Sequence, residues 1–350
     1  MTVLRQGAII GFGNVAANGH LPGWRAQRDF HIVAVSDPDP QRRALAAARL
    51  PQARVYADAA ELLRRERLDF VDIAAPPALH APLMITAAEA GVHVLCEKPL
   101  TASLRDYPAV QAAVRRAGIV LHTVHNWKYS EAFQAVQRLV ARGALGALTE
   151  ISFDTARNGC AAASGENWRV RAAMAGGGIL VDHGWHAFYL MLALAKEAPQ
   201  RIRARLERRR YVDAEVEDTA SCTVDFPSLT GSIRLTWAAA ERHTRWRLVG
   251  TDAEVLVDDD RLVLRGQHTE DTQPLSTALS AGSHHPEWFA GVIDSFRREL
   301  DDPSARGVNQ AEAEQCLRLL SLAYASGAQG ARTLDVPTPD GWIAEQAGAA

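Results

Sequence analysis

The feature that most limits how this chain can fold is a short apolar run, Gly7-Ala8-Ile9-Ile10-Gly11. It feeds directly into Gly11-Phe12-Gly13-Asn14-Val15-Ala16 and then into a helix predicted over residues 14–27. A strand, a glycine loop and a helix in that order are the setting of the G-x-G-x-x-A variant of the dinucleotide fingerprint. Gly11 permits the tight turn, Gly13 lets the backbone approach a pyrophosphate, and the small Ala16 lets the helix pack on the sheet. The helix start then points N–H groups at phosphates. Alone, such a loop is a weak signal; its place between strand and helix gives it weight.

Strand and helix patterns go on alternating. His31 to Ser36 reads as a strand ended by Asp37, and a helix of Arg and Ala residues follows. Next come a helix near 58–67, a strand over Phe70 to Ala74, and a helix over 79–90 after Pro76-Pro77. A strand over Val92 to Cys96, a helix over 103–117 and a strand over Ile119 to Val124 complete the series. The pattern predicts an α/β fold with a doubly wound, mostly parallel sheet over residues 1–125. Asp37 stands where a carboxylate accepts the ribose hydroxyls of NAD, although Asp37-Pro38-Asp39-Pro40 also suits a turn before a helix. Arg42 and Arg43 keep NADP open as the cofactor. The loop at Pro76-Pro77 follows a strand end and is expected to lie over the cofactor.

Beyond residue 125 the pattern changes. His125-Asn126-Trp127-Lys128-Tyr129 precedes an amphipathic helix to about Arg142, which Gly143 and Gly146 break. Seven strand-like runs then follow with few helices between them, at 148–154, 200–210, 219–225, 231–238, 245–250, 254–257 and 262–265. They predict a second, α+β domain over 126–350 with a large, mostly antiparallel sheet. Two helices, near 286–300 and 310–326, close the chain, and the second is expected to pack back on the first domain. The Ala- and Gly-rich tail after Trp342 is expected to fray. A length of 350 residues agrees with two domains.

Composition removes several function classes. A formal charge of −3 sets up no basic field for nucleic acid. No apolar run approaches the ~20 residues of a membrane span, and the opening residues lack the pattern of a signal peptide. Cys96, Cys160, Cys222 and Cys316 are far apart and form no C-x-x-C pair, which points to reduced thiols and a cytoplasmic location.

Two further stretches carry candidate chemistry. Val92 to Cys96 ends in Glu97-Lys98-Pro99, a charged pair just past the carboxyl end of a buried strand, where ligands of open α/β sheets sit. Gly176-Gly177-Gly178-Ile179-Leu180-Val181-Asp182-His183-Gly184-Trp185-His186 opens an apolar helix. The glycines are expected to let the backbone pass close to a ligand. Asp182 and His186, four apart, are expected to share a helix face, with the carboxylate supporting the imidazole. A metal site from Asp182, His183 and His186 is disfavoured, because only three ligands are local and His183 points elsewhere around the helix.

With Gly11-Phe12-Gly13, Glu97-Lys98-Pro99, Asn167-Trp168-Arg169 and Asp182/His186 in this order, the whole chain resembles the Gfo/Idh/MocA family. These are glucose–fructose oxidoreductase-like and inositol dehydrogenase-like NAD(P) enzymes. The resemblance implies a Rossmann domain followed by an open-faced α+β domain that mediates a homodimer or homotetramer. It implies Lys98 and His186 as catalytic residues, with Asp182 assisting. It places Gly11, Phe12, Gly13, Asn14, Val15, Asp37, Ala75, Pro76, His80, Glu97 and Lys98 at the cofactor. Lys98, Asn126, Lys128, Tyr129, Arg157, Trp168, Arg169, Asp182, His183 and His186 would meet the substrate.

The residue types then suit oxidation of a secondary alcohol, and the resemblance implies that of a sugar, polyol or related small molecule. His186 is the expected base, oriented by Asp182, and Lys98 the cation that stabilises the developing alkoxide. Bound NAD carries the hydride. Arg157, Arg169 and Arg171 either crowd the cleft, which suits a substrate carboxylate or phosphate, or are solvated surface charges. The alternative reading is a regulatory or sensor protein that keeps the dinucleotide without turnover.

Overall fold

In the computed structural model the described residues are 4–160, 167–282 and 284–338; the tail after Trp342 lies outside them. These residues form two compact units. The first takes the described residues of 1–130, 161–177 and 282–317; the second takes those of 131–160, 178–281 and 318–350.

The first unit holds six parallel strands: β1 (Arg5–Ile10), β2 (Phe30–Ser36), β3 (Arg54–Tyr56), β4 (Phe70–Ile73), β5 (His93–Cys96) and β6 (Leu121–Thr123). Their order is β3-β2-β1-β4-β5-β6, the doubly wound order. The expected α/β class is therefore met. β1 and β4 are buried along nearly their whole length, as strands covered on both faces must be. The strand order reverses between β1 and β4, so Gly11 stands at the switch point; its N–H is bonded to Ser36, and Ala74 N–H to Ile10. β3 was not expected, because three residues are too few to show a period. Ile9, Phe12, Trp24, Phe70 and Leu95 form one core with Phe289, Ile293 and Phe296 of the helix Pro286–Asp301.

The second unit holds nine strands: β7 (Leu148–Asn158), β8 (Arg201–Glu207), β9 (Thr219–Asp225), β10 (Thr230–Thr236), β11 (Ala238–Gly250), β12 (Ala253–Asp258), β13 (Arg261–Gly266), β14 (Glu270–Pro274) and β15 (Leu334–Asp335). The order is β14-β13-β12-β11-β7-β10-β9-β8-β15, and only the β7–β10 pair is parallel. β8 and β9 alternate buried and exposed residues, the signature of a sheet with one covered face. The uncovered positions are charged and paired across strands, as in Arg234 with Asp154 at 3.2 Å and Arg245 with Asp258 at 2.8 Å. β11 begins at Ala238, seven residues before the expected Arg245, because Ala238-Ala239-Ala240-Glu241 carries no strand propensity and is held only by its neighbours.

Candidate active site

The glycine loop has the form a dinucleotide requires. Gly11 adopts φ +87°, and a Cβ there would stand 2.9 Å from the Ala74 carbonyl and the Ala75 nitrogen. A Cβ on Gly13 would meet nothing within 4 Å, so the backbone there is open to a close approach. The loop runs into a helical stretch over residues 14–25 whose Ala16–His20 segment is a π-helical turn. Asn14 accepts a hydrogen bond from Asn18 one turn on, at 2.8 Å. Val15 is the residue that precedes the π turn. Asp37 is buried; its Oδ2 accepts from Phe12 N–H at 2.7 Å and its Oδ1 from Asp39 N–H at 2.9 Å. Its carboxylate thus fastens the glycine loop from β2, a contact that sequence reading did not anticipate. Arg43 donates to the carbonyls of Asp37 and Pro38 at 3.0 and 2.8 Å.

The loop after β4 is tied to the turn after β5 by one side chain. His80 is fully buried, with Nδ1 2.8 Å from the Pro99 carbonyl and Nε2 2.9 Å from the Ala75 carbonyl. Burial holds its pKa below the ordinary value, while the two carbonyls pull the other way. Pro76 begins the 3-10 turn Pro77–Leu79 that carries His80.

Glu97 leads the charged turn. Its N–H is bonded to Ile73, its Oε2 accepts from Lys98 N–H at 3.0 Å, and its Oε1 lies 2.9 Å from His20 Nε2. Nδ1 of the same histidine lies 3.0 Å from both oxygens of Asp72, and Trp24 Nε1 donates to Asp72 at 2.7 Å. His20 and Asp72 were missed in the sequence. Asp72 had a signal: an aspartate inside the apolar strand Phe70–Ile73 must find a partner when buried.

Residues Asn126–Tyr129 form a 3-10 turn. Lys128 pairs with Glu312, which also meets His125 Nδ1 at 2.7 Å. Tyr129 packs against Gly291, where a Cβ would stand 2.2 Å from its ring. Trp168 and Arg169 form another 3-10 turn, capped by Asn167, with the guanidinium 4.4 Å from the indole centroid. All of these lie in the first unit, with Gly11 to Val15, Asp37, Ala75, Pro76, His80, Glu97 and Lys98.

Arg157, Asp182, His183 and His186 lie in the second unit. The helix that carries the last three opens with a π-helical turn, Leu180–Gly184, and continues as Trp185–Ala195. Its start is held by Glu217, whose carboxylate accepts from Gly178 N–H at 3.1 Å, Leu180 N–H at 2.9 Å and the Tyr324 hydroxyl at 2.8 Å. Burial pushes the Glu217 carboxyl up. Two of the glycines serve close approaches within the protein: a Cβ on Gly178 would stand 1.8 Å from the Glu217 carbonyl oxygen, and one on Gly176 2.5 Å from that of Ala102. Nothing local in the sequence points to Glu217 or Tyr324.

His186 is buried, with Nδ1 2.8 Å from the Tyr189 hydroxyl. Asp182 Oδ2 lies 3.7 Å from His183 Nε2, so His183 does not point away from this carboxylate as the helical spacing led us to expect. Arg157 is buried as well, which excludes a solvated surface charge. One of its nitrogens donates to the carbonyls of Ala156 and His243, both at 2.9 Å, and to Thr244 Oγ1 at 3.1 Å. Burial, followed by Arg242, lowers its pKa to about 10, while Asp182 and Asp259 oppose the shift.

Comparison with known proteins decides what kind of chain this is. A family profile described as oxidoreductase family, NAD-binding Rossmann fold matches residues 5–125, and one described as GFO/IDH/MocA C-terminal domain matches residues 133–256. The dTDP-3,4-didehydro-2,6-dideoxy-alpha-D-glucose 3-reductase of Streptomyces violaceoruber is 31% identical over 91% of this chain and 93% of its own.

The chain belongs to the Gfo/Idh/MocA family.

This Gfo/Idh/MocA protein is an NAD(P)-dependent oxidoreductase of the dehydrogenase and reductase class, with an NAD-binding Rossmann domain. The D-apiose dehydrogenase of Paraburkholderia graminis is 42% identical, in a match that spans 40% of this chain and 37% of that protein. An oxidoreductase of Agrobacterium radiobacter, solved with NAD+, L-tartaric acid and magnesium, superposes with a TM-score of 0.82 at 25% identity, over 95% of this chain and 98% of that one. Among the described residues no helix is long and apolar enough to cross a membrane.

Proposed function

We propose that this oxidoreductase moves a hydride between NAD and a secondary alcohol or ketone of a sugar, polyol or related small molecule. The observation that carries the reading is Lys98 on a turn fastened at the carboxyl end of β5, next to the switch point of the sheet, where ligands of doubly wound folds bind. Residues 1–125 are read as the dinucleotide domain. Gly11, Phe12, Gly13, Asn14 and Val15 would hold the pyrophosphate, Asp37 the ribose, and Ala75, Pro76, His80, Glu97 and Lys98 the nicotinamide end. Bound NAD accepts or donates the hydride.

Residues 126–350 are read as the substrate and oligomerisation domain. His186 takes the hydroxyl proton, Asp182 assists, and Lys98 stabilises the developing alkoxide. Asn126, Lys128, Tyr129, Trp168, Arg169 and His183 are the residues read as meeting the substrate. Arg157, a buried cation, would favour substrates with a carboxylate, and the Agrobacterium neighbour was solved with a dicarboxylic acid. The names of the relatives, dehydrogenases and a reductase of sugars, support the substrate class. The wide spacing of the four cysteines, with no C-x-x-C pair, supports a cytoplasmic location, and the charged face of the nine-stranded sheet is the surface read as joining a homodimer or homotetramer.

The test is a screen of the purified protein with NAD and with NADP against sugars, polyols and sugar acids, followed by nicotinamide absorbance. Turnover of a member of these classes is the expected result. Tight NADH binding with no turnover of any of them would leave the sensor reading in its place.

A further inference from the structure

We propose that His20 is a positioning residue for Lys98: held between Asp72 and Glu97, it fixes the Glu97 carboxylate and, through it, the Glu97-Lys98 turn. The inference rests on the reading of Lys98 as a catalytic cation. It starts from hydrogen-bond capacity. A carboxylate only accepts, and both ring nitrogens of His20 face carboxylate oxygens, at 2.9–3.0 Å. Both contacts are made only if both nitrogens donate, which makes the ring an imidazolium. The ring is 2% exposed and stacks on Phe289 at 4.1 Å, so the cation is shielded from water.

Charge balance gives the same answer. Asp72 is fully buried, and the Glu97 side chain is 15% exposed; two such carboxylates without a cation between them would be costly. Burial is the largest influence on His20 and opposes its charge, yet Asp72 and Glu97 together push its pKa up to about 10. The other ionisable groups around it are Cys96, whose thiol burial pushes up and keeps neutral, and His284, which burial holds below its ordinary value. Lys98 and His80 act on Glu97 in the same sense as His20.

The arrangement joins three elements that chemistry needs in register. His20 belongs to the helix that leaves the glycine loop, Asp72 to β4, and Glu97 to the turn after β5. With its carboxylate gripped at Oε1 by His20 and at Oε2 by Lys98 N–H, Glu97 cannot swing, and the main chain of Lys98 is anchored at its own nitrogen. A glutamate needed only for solubility would not be held against a buried imidazolium.

Lysine occurs at three positions, Lys98, Lys128 and Lys196. Isotope-labelled reductive methylation of the full-length protein therefore gives three side-chain NMR signals besides the α-amine, and Lys98→Met assigns one. In His20→Gln and Asp72→Asn the Lys98 signal should move or broaden while those of Lys128 and Lys196 stay. NADH affinity should remain within about threefold. On a substrate from the screen, kcat should fall at least ~tenfold with KM near the original, the pattern of an interaction lost from the transition state.

Nitrogen NMR of the histidine rings should show one imidazolium persisting to pH ~9, titrating at lower pH in Asp72→Asn because one counter-charge has gone. If His20→Gln does not fold, Asp72→Asn decides. An unchanged Lys98 signal in the folded variants, a shift of all three lysines together, or no persistent imidazolium would each overturn the proposal. The NMR measurements need no substrate, so a protein inactive on every sugar sinks the functional reading while the positioning role is still decided.

Discussion

Nδ1 of His186 lies 2.8 Å from the hydroxyl of Tyr189, three residues along the same buried helix. For the imidazole to act as a base through Nε2, Nδ1 must carry the proton and donate it to the tyrosine oxygen. With His186 as the base, Tyr189 would hold that tautomer, a role the sequence analysis gave to Asp182. Oxidation should rise with pH through the histidine's titration, because only the unprotonated ring accepts a proton. His186→Asn should flatten that acid limb and lower turnover by about 10²–10⁴-fold. Tyr189→Phe should keep the limb and lose about tenfold. A normal limb in His186→Asn with the limb gone in His183→Asn would transfer the base role to His183, whose Nε2 stands 3.7 Å from Asp182.

Lys98→Met keeps the length of the side chain and removes its charge. The glycine loop and Asp37 are untouched by it, so NADH should still bind. Turnover should fall by roughly a hundredfold or more, the size of one lost electrostatic stabiliser. Loss of NADH binding with proportionally normal residual chemistry would make Lys98 a cofactor ligand only. Stopped-flow measurement of binding and steady-state turnover on the same preparation separates the two.

Legibility followed how local the cause was. The doubly wound sheet was readable because each strand and helix carries its own period, and Gly11-Phe12-Gly13 sits in the required context. The antiparallel sheet was readable from the alternation in strands such as Arg201–Glu207. What stayed hidden depends on residues far apart in sequence. His20, Asp72 and Glu97 meet only after β1, β4 and β5 have aligned, and Glu217 reaches the helix start at Gly178 from 39 residues away. The π turns at Ala16–His20 and Leu180–Gly184 were invisible for another reason: their residues fit an α-helical period equally well.

The cofactor preference follows from Asp37. Its carboxylate is buried and already accepts two backbone N–H bonds, so it is fixed in place and charged groups brought beside it feel it strongly. A 2′-phosphate there would be repelled, and kcat/KM with NAD should exceed that with NADP. Asp37→Ser should narrow the ratio, at some cost in stability because Phe12 N–H loses its acceptor. Arg43 is occupied by the carbonyls of Asp37 and Pro38. Equal or better use of NADP by the unaltered protein would remove the ribose role from Asp37.

The last prediction concerns acid stability and Glu312. This carboxylate is largely buried and faces His125 and Lys128; burial alone would raise its pKa, but the two partners together bring it from 4.5 down to about 2. Burial is the largest influence on His125 and holds it below its ordinary value, while Glu312 opposes that shift. A folded-state pKa below the unfolded one means that the native state holds the proton less tightly. The stabilisation is therefore fully present above pH 4.5 and is lost as pH falls through about 2. Glu312→Gln should lower the unfolding free energy at neutral pH by about 3 kcal/mol, the scale of breaking a buried pair. It should also remove part of the decline on the acid side, so the two stability curves converge toward pH 2. Urea unfolding of both proteins across that range measures the difference. Parallel curves, with the same gap at acid as at neutral pH, would show that the Glu312 charge contributes nothing to it.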